Sequence, residues 1–445
     1  MRRCGIDLGS TNVKVVAVDR TGAVLARTGR PTPRVPDVVG VRTDADALHR
    51  LVEKLIIEAA QGEPVAAACV AGVGEDGVLV GANARPLDLV LPWFDPRRRE
   101  VMSELEDRFG TGRGQFDVEL DAARTMAGWA WLARDRPDAI AAATAWVALT
   151  DYPAFLWSGH AVMSNTLAAR TAAWSIESGW AAERVTPFLG DMSRLPPVVS
   201  AGTVIGPLRS PRLAAAGIAA ADSVVVAGGH DHPVAASVVH RGNPGAVLDS
   251  MGTAEVIVRT VPMGEAPLGC DISPAVVGSG RTVIRVVELD RNVAAARRRS
   301  PEVAAEIDRM LTEGIPQVDI EPLFVPGAQG GEAPAWSPAA DSASDTELAA
   351  HALRACAELG AATVRAVSTG SEPDVYGAGG WTSSPGWMRL KESSLGRAYR
   401  IPTEAQLTAF GAAQLALMAT GHAPALASGF HPLSRDDQRS ANRTP

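Results

Sequence analysis

Gly5-Ile6-Asp7-Leu8-Gly9-Ser10-Thr11-Asn12-Val13-Lys14-Val15-Val16 reads as a strand, a tight turn and a returning strand. A turn built from Gly9, Ser10, Thr11 and Asn12 presents backbone N–H groups and hydroxyls that can hold an anion with no helix. About half a chain later the scheme recurs in Val247-Leu248-Asp249-Ser250-Met251-Gly252-Thr253-Ala254-Glu255-Val256-Ile257-Val258. Two such turns facing each other could grip the phosphates of one nucleotide from both sides. Shortly before the second turn, Gly228-Gly229-His230-Asp231-His232-Pro233 offers a carboxylate where a helix begins. Phosphate clamps and a poised carboxylate point to phosphoryl transfer.

The chain has 445 residues, too many for one core and suited to two domains. A net charge of −8 argues against a nucleic-acid surface but says little about a small anionic ligand. Every apolar run is interrupted by Arg, Asp, Pro or Gly, so no membrane span is expected. Met1-Arg2-Arg3-Cys4 runs straight into the first strand, which leaves no room for a signal peptide and makes the cytosol the expected compartment. Cys4, Cys69, Cys270 and Cys356 are scattered through apolar surroundings without metal-ligand spacing, as reduced core residues would be. Lysine occurs only at Lys14, Lys54 and Lys391. That scarcity draws attention to Lys14, either a phosphate-facing group or a solvated strand lysine.

Residues 4–28 read as a three-stranded meander, 44–61 as an amphipathic helix and 65–73 as a buried strand. Helices are expected over 98–108, 121–134, 138–148 and 150–158. A strand at 222–227 leads to a helix at 233–240, with Pro233 in its first turn. In the second half, strands at 246–250, 254–260 and 282–287 precede a helical stretch at 291–313. A further helix spans 346–368, a strand spans 373–377, and a helix at 404–420 closes the second domain. A hinge near 243–246 gives domains of 1–243 and 244–433, with a disordered polar tail at 434–445.

Gly72-Val73-Gly74-Glu75-Asp76-Gly77 matches the dinucleotide fingerprint as a string. That fingerprint must open a helix, whereas Val78-Leu79-Val80 continues as a strand, so it is set aside. Asp7, at the end of the first strand, could hold Mg²⁺ through water beside phosphates, or hydrogen-bond its own turn. Asp231 is the candidate general base for an attacking alcohol, and an Asp near a helix N-terminus is also favoured by the dipole. His230 and His232 could join Asp231 around a metal, but no further ligand is evident, so zinc is disfavoured. His232 is better placed to hydrogen-bond substrate hydroxyls. Trp93, Asp95 and Arg97 fall on a Pro-bounded loop and suit a polyhydroxylated ligand, or else a core Trp with an Asp–Arg pair. Glu75 and Asp76 form an acidic turn that favours hydroxyl-rich substrates over sugar acids. Gly379 and Gly380, after a strand, let a flat base approach the backbone, or form a plain turn.

Together these residues resemble the FGGY carbohydrate kinases of the actin/hexokinase/Hsp70-type ATPase superfamily. Asp7-Leu8-Gly9-Ser10-Thr11 with Lys14 is similar to the family's first phosphate motif, and Trp93-Phe94-Asp95-Pro96-Arg97 to its sugar-side segment. Asn165–Trp180 resembles the stretch after the first-domain helices. Gly229-His230-Asp231 is similar to the catalytic loop, and Ser250-Met251-Gly252-Thr253 to the second phosphate motif. Gly379-Gly380 with Gly411-Ala412-Ala413 is similar to the adenosine region. The resemblance covers nearly the whole chain, in order. It implies an α/β protein of two ribonuclease-H-like (actin-like ATPase) domains, with ATP-Mg²⁺ and a sugar or polyol bound in the cleft between them. It implies phosphorylation of a primary hydroxyl, in a ketose or sugar alcohol; the oligomeric state stays open, with a homodimer an ordinary outcome. The alternative is a non-catalytic nucleotide-binding regulator or degenerate kinase of the same fold. Gly74-Glu75-Asp76-Gly77 lacks both the Met-His pair of xylulokinase-like members and the Arg-Glu pair of glycerol kinases, so the acceptor stays open.

Overall fold

The computed structural model describes residues 1–110, 112–264, 267, 269–318, 323–328, 333–368 and 372–423, with the backbone of 430–432. The expected tail at 434–445 lies outside the described residues. The contacts divide the chain into two units. Unit 1 contains Met1–Arg241, Asp271–Thr282 and Gln406–Ala427; unit 2 contains Gly242–Cys270, Val283–Ala405 and Ser428–Pro445.

Unit 1 is built on a six-stranded sheet whose order is Val204–Pro207, Ala219–His230, Val65–Gly72, Arg2–Leu8, Asn12–Val18, Val24–Pro31. Successive residues Cys4, Gly5 and Ile6 of Arg2–Leu8, and Val15, Val16, Ala17 and Val18 of Asn12–Val18, are buried, so both faces of these strands are covered, as a central layer requires. Three neighbours, Ala219–His230, Val65–Gly72 and Arg2–Leu8, run parallel, and Leu8, Gly72 and His230 fall level at their carboxyl ends. The helix Ala45–Ala60 begins at an Asp44 cap, whose carboxylate accepts from Ala47 N. Its apolar stripe (Leu48, Val52, Leu55, Ile56, Ala59) packs into a core with Ile6, Val13, Val15 and Val70.

The helix Leu407–Ala419 is apolar on nearly all sides. It packs on the unit 1 sheet, with Ala412, Leu415 and Ala416 against Ala67, Cys69, Ala71 and Val226. The sequence assigns this helix, with the rest of 244–433, to the second domain. The structure corrects that boundary for Gln406–Ala427 and for Asp271–Thr282. The physical reason is close backbone contact: a Cβ on Gly5 would lie 2.0 Å from Ala409 O and 2.1 Å from Ala413 N. Gly411 similarly abuts Val234 O, so its missing side chain serves packing in unit 1.

The expected helix at 138–148 is a short helix, Pro137–Ala142, followed by a strand, Ala145–Ala148, paired with Gly77–Val80. The alanine run favours helix, but Trp146 and Val147 are drawn into a long-range antiparallel pairing with Leu79 and Val78. The helical stretch 291–313 is two helices, Leu289–Arg297 and Pro301–Glu313, with a break where Ser300 caps the second ahead of Pro301.

In unit 2, Val247–Met251 lies between Glu255–Val261, antiparallel, and Val375–Ala378, parallel. The helices Asp345–Val367, Pro385–Leu395 and Pro301–Glu313 contribute to one core with that sheet. The longest, Asp345–Val367, starts in a capping box between Ser344 and Glu347.

Candidate active site

Three predicted segments meet at the carboxyl edge of the unit 1 sheet because three parallel strands end level there. The first is the Asp7–Asn12 turn. Gly9 N donates to Asn12 O at 3.1 Å, and a Cβ on Gly9 would come within 2.8 Å of that same oxygen. Arg34 Nη2 donates to Ser10 O at 2.6 Å, and Thr32 N to Thr11 O at 2.9 Å, which fixes the turn from outside. Thr11 is exposed at the tip. Asp7 is buried, and Lys14 Nζ lies 3.8 Å from its Oδ2. Burial pushes the Asp7 carboxyl up to about 7, against the pull of Lys14 and with a further push from Asp231. A hard divalent cation beside Asp7 would keep it ionised at neutral pH, so its oxygen donors fit Mg²⁺.

The second segment carries Asp231. Strand Ala219–His230 delivers it to the first position of the helix Asp231–Gly242. Gly229 has φ 150°, and a Cβ there would come within 2.1 Å of Thr166 Oγ1. The strand end is pinned by Ser164 Oγ donating to Gly228 O and by His230 N donating to Thr166 Oγ1, both at 2.9 Å. Asp231 Oδ1 accepts from His232 N at 2.7 Å and lies 3.2 Å from His230 Nε2. Burial raises the Asp231 pKa above the carboxylate norm, and Glu75 adds to the rise, while His232 and Arg170 oppose it. His230 is held well below its usual value, by burial and then by Arg170, and is neutral. Nitrogen or oxygen atoms of His230, Asp231 and His232 lie within 4.8 Å of one another.

The third segment is the Glu75-Asp76 turn. Glu75 Oε1 accepts from Arg170 Nε at 2.7 Å. Arg170 Nη1 reaches Asp271 Oδ2 at 2.8 Å, and Arg124 Nη2 bonds the same carboxylate. Asp76 faces the buried guanidinium of Arg98 at 3.4 Å, and burial raises it to about 6. The acidic turn is therefore charge-compensated. Beside it, a recess is lined by Glu75, Arg98, Thr125, Gly128, Trp129 and Trp146. Thr125 Oγ1 and Trp129 Nε1 are buried there without hydrogen-bond partners. Arg98, Arg124, Arg170 and Asp271 were not singled out from sequence. The signal for Arg170 was its place in the Asn165–Trp180 stretch; nothing local marks Asp271.

Trp93 joins this group, since its Nε1 donates to Ser10 Oγ at 2.9 Å. Asp95 and Arg97 do not present free groups. Asp95 caps the turn after it and grips the Arg97 guanidinium, whose Nη1 also bonds Asp37 at 2.7 Å. They brace the loop that carries Trp93.

Unit 2 brings its two predicted segments together. Gly252 N donates to Ala254 O at 3.0 Å, which closes the turn ahead of Glu255. Gly379 has φ 89°, and a Cβ on it would come within 2.3 Å of Met251 O, so the Gly379-Gly380 turn rests against the Gly252-Thr253 turn. Trp381 Nε1 donates to Asp290 Oδ1 at 2.8 Å, and Asp290 N to Thr253 O at 3.1 Å.

The N-terminal domain of the FGGY family of carbohydrate kinases matches residues 3–237. The chain belongs to this family. L-fuculokinase of Escherichia coli K12 is 26% identical over 264 residues, which is 57% of this chain and 55% of that one. The chain thus spans about half the length of the first of the curated relatives it matches. Xylulose kinase of Streptomyces rubiginosus is 24% identical over 437 residues, covering 95% of this chain and 89% of its own. The fold is that of the xylulose kinase from Rhodospirillum rubrum, with a TM-score of 0.84 at 20% identity over 96% of this chain and 91% of that one. Both units are thus variants of the actin-like ATPase architecture common to FGGY proteins.

Proposed function

We propose that this protein is an ATP-dependent kinase that phosphorylates a primary hydroxyl of a sugar or polyol, with Asp231 as the general base. The observation that carries the reading is the level ending of three parallel strands, which gathers Asp7, the Glu75-Asp76 turn and Asp231 at one sheet edge. Ligands of open α/β sheets bind at that edge.

Asp231 orients the acceptor hydroxyl and takes its proton as the new O–P bond forms and the bond to the ADP oxygen breaks. Its raised pKa makes it a better proton acceptor than an exposed carboxylate. Gly9, Ser10, Thr11 and Asn12, with Lys14, bind phosphate oxygens in unit 1; Gly252 and Thr253 do so in unit 2. Gly379 and Gly380 lie along the base. Asp7 would hold Mg²⁺ through water, and the bound ion would supply neutralisation of the phosphate charge. Trp93 covers the apolar face of the acceptor, while His232 and Asp76 hydrogen-bond its hydroxyls. His230 and Glu75 act indirectly: His230 is a neutral neighbour of Asp231, and Glu75 aligns Arg170. L-fuculose and xylulose are the acceptors to test first, a choice supported by the names of the relatives. The acidic turn at Glu75 and Asp76 disfavours sugar acids on sequence alone, without removing them from the candidates. Each of those groups has an arginine against it, which weakens that preference. The reaction suits the cytosol, where ATP is abundant; no helix among the described residues is long and apolar enough to cross a membrane.

The test is ADP formation with ketoses, polyols, aldoses and sugar acids, with Asp231→Asn in parallel. Turnover that depends on one acceptor and is lost in the variant supports the kinase. ATP binding with no turnover on any acceptor overturns it in favour of a non-catalytic nucleotide-binding protein.

A further inference from the structure

Lys391 is one of only three lysines in the chain and is completely buried on the helix Pro385–Leu395. Its ammonium lies 3.2 Å from Asp249 Oδ2 and donates to Glu255 Oε1. The Tyr399 hydroxyl donates to the same Asp249 oxygen at 2.7 Å. All four residues belong to unit 2. Neither carboxylate is exposed, and Asp249 Oδ1 and Glu255 Oε2 have no hydrogen-bond partner. Buried charge of this kind loses its hydration, and well-packed apolar side chains commonly do as well or better for stability alone. Its presence calls for another use.

A second observation shows that the surrounding structure makes room for it. Gly360 lies inside the helix Asp345–Val367, where glycine is a poor choice. A Cβ at that position would lie 2.2 Å from Glu255 Oε1 and 2.3 Å from Lys391 Nζ. Helix stability is given up where the Glu255–Lys391 pair needs space.

The placement indicates the use. Asp249 precedes the Gly252-Thr253 turn, and Glu255 follows it, so the cation is bonded to both arms of one hairpin. In register, Asp249 stands beside Gly377 on the strand that leads into Gly379-Gly380. Lys391 itself lies on the helix that follows this second turn. One ammonium thus links the arms of the phosphate turn to the helix behind the base turn. We propose that Lys391, held by Asp249, Glu255 and Tyr399, is a positioning residue that keeps both glycine turns of unit 2 in register for a single nucleotide. This inference rests on the reading of those turns as nucleotide-binding. Burial, followed by the repulsion of Asp249, raises the Glu255 carboxyl above the usual carboxylate range, against the pull of Lys391.

The test uses the full chain with Glu255→Gln and Tyr399→Phe, both near-isosteric, and Lys391→Met as the stronger change. Hydrogen exchange is followed by mass spectrometry in peptides spanning 247–256 and 375–382, alongside KM for ATP and for the acceptor. The expected result is exchange faster by about tenfold in both turns and little change elsewhere. KM for ATP should rise severalfold while KM for the acceptor holds. Unchanged exchange and unchanged KM for ATP in folded Glu255→Gln and Tyr399→Phe overturn the inference, whether or not Lys391→Met folds. So does exchange that rises evenly across unit 2 with both KM values shifting together, since a merely structural role predicts that. A wild-type protein that binds no ATP in calorimetry sinks the nucleotide reading instead, and the exchange data still decide whether the set couples the two turns.

Discussion

Asp231 owes its chemistry to what surrounds it. A general base contributes about 10²–10⁴ to rate, so Asp231→Asn should lower kcat by about 10³ while leaving the ATP dissociation constant nearly unchanged in calorimetry. Because the base must be ionised, turnover should fall as pH drops through its raised pKa. Glu75 is one cause of that rise and also partly neutralises Arg170, so Glu75→Gln should move the acidic limb of kcat/KM to lower pH; a limb that stays put or moves up would refute this electrostatic account. Asp7 makes a separate prediction about stability. Its carboxyl titrates near 4 when unfolded and about 7 when folded, so the native state binds the extra proton between those values. Free of nucleotide and metal, the protein should therefore lose stability as pH rises from about 4 to 7, by on the order of 3 kcal/mol from this group. Thermal melts across that range should show Asp7→Asn gaining on the wild type as pH rises, and parallel curves would contradict it. Asp7 and Asp231 were legible because each sits in a short local pattern of glycines at a strand end. Arg124, Arg170 and Asp271 were not, because their meeting joins residues about 100 or more positions apart.

At the scale of the element, the hairpins were readable because Gly-Ser-Thr-Asn and Gly-Thr turns lie between short apolar runs. The strand Ala145–Ala148 was not, since its alanines suit a helix and only its partner Gly77–Val80 decides otherwise. The helix Leu407–Ala419 was recognised as a helix, but an evenly apolar surface carries no address for the sheet it covers. Its seat can be tested at Gly5, whose absent Cβ lets two backbones meet. The atoms it would strike are backbone and cannot swing aside. Gly5→Ala should therefore cost about 1–3 kcal/mol in urea unfolding of unit 1, whereas Gly29→Ala, 3.3 Å from its nearest neighbour, should cost much less. Equal losses would mean that the helix does not press on this strand.

For the whole molecule, the order of residues along the chain and their order in space disagree. Unit 1 recruits Asp271–Thr282 and Gln406–Ala427 from beyond unit 2's first strands. A fragment of residues 1–241 leaves Ala67, Cys69, Ala71 and Val226 without the helix that covers them. It should be aggregation-prone and bind the dye ANS, and joining residues 406–423 through a flexible linker should restore a cooperative melt. A cooperative melt of the short fragment alone would show the helix to be dispensable. The same feature has a consequence on the ribosome. Translation proceeds at roughly 5–20 residues per second. The opening sheet is thus complete in sequence some ten to forty seconds before its last covering helix is synthesised. During that interval the nascent chain carries an apolar face that only a chaperone, or patience, can shield.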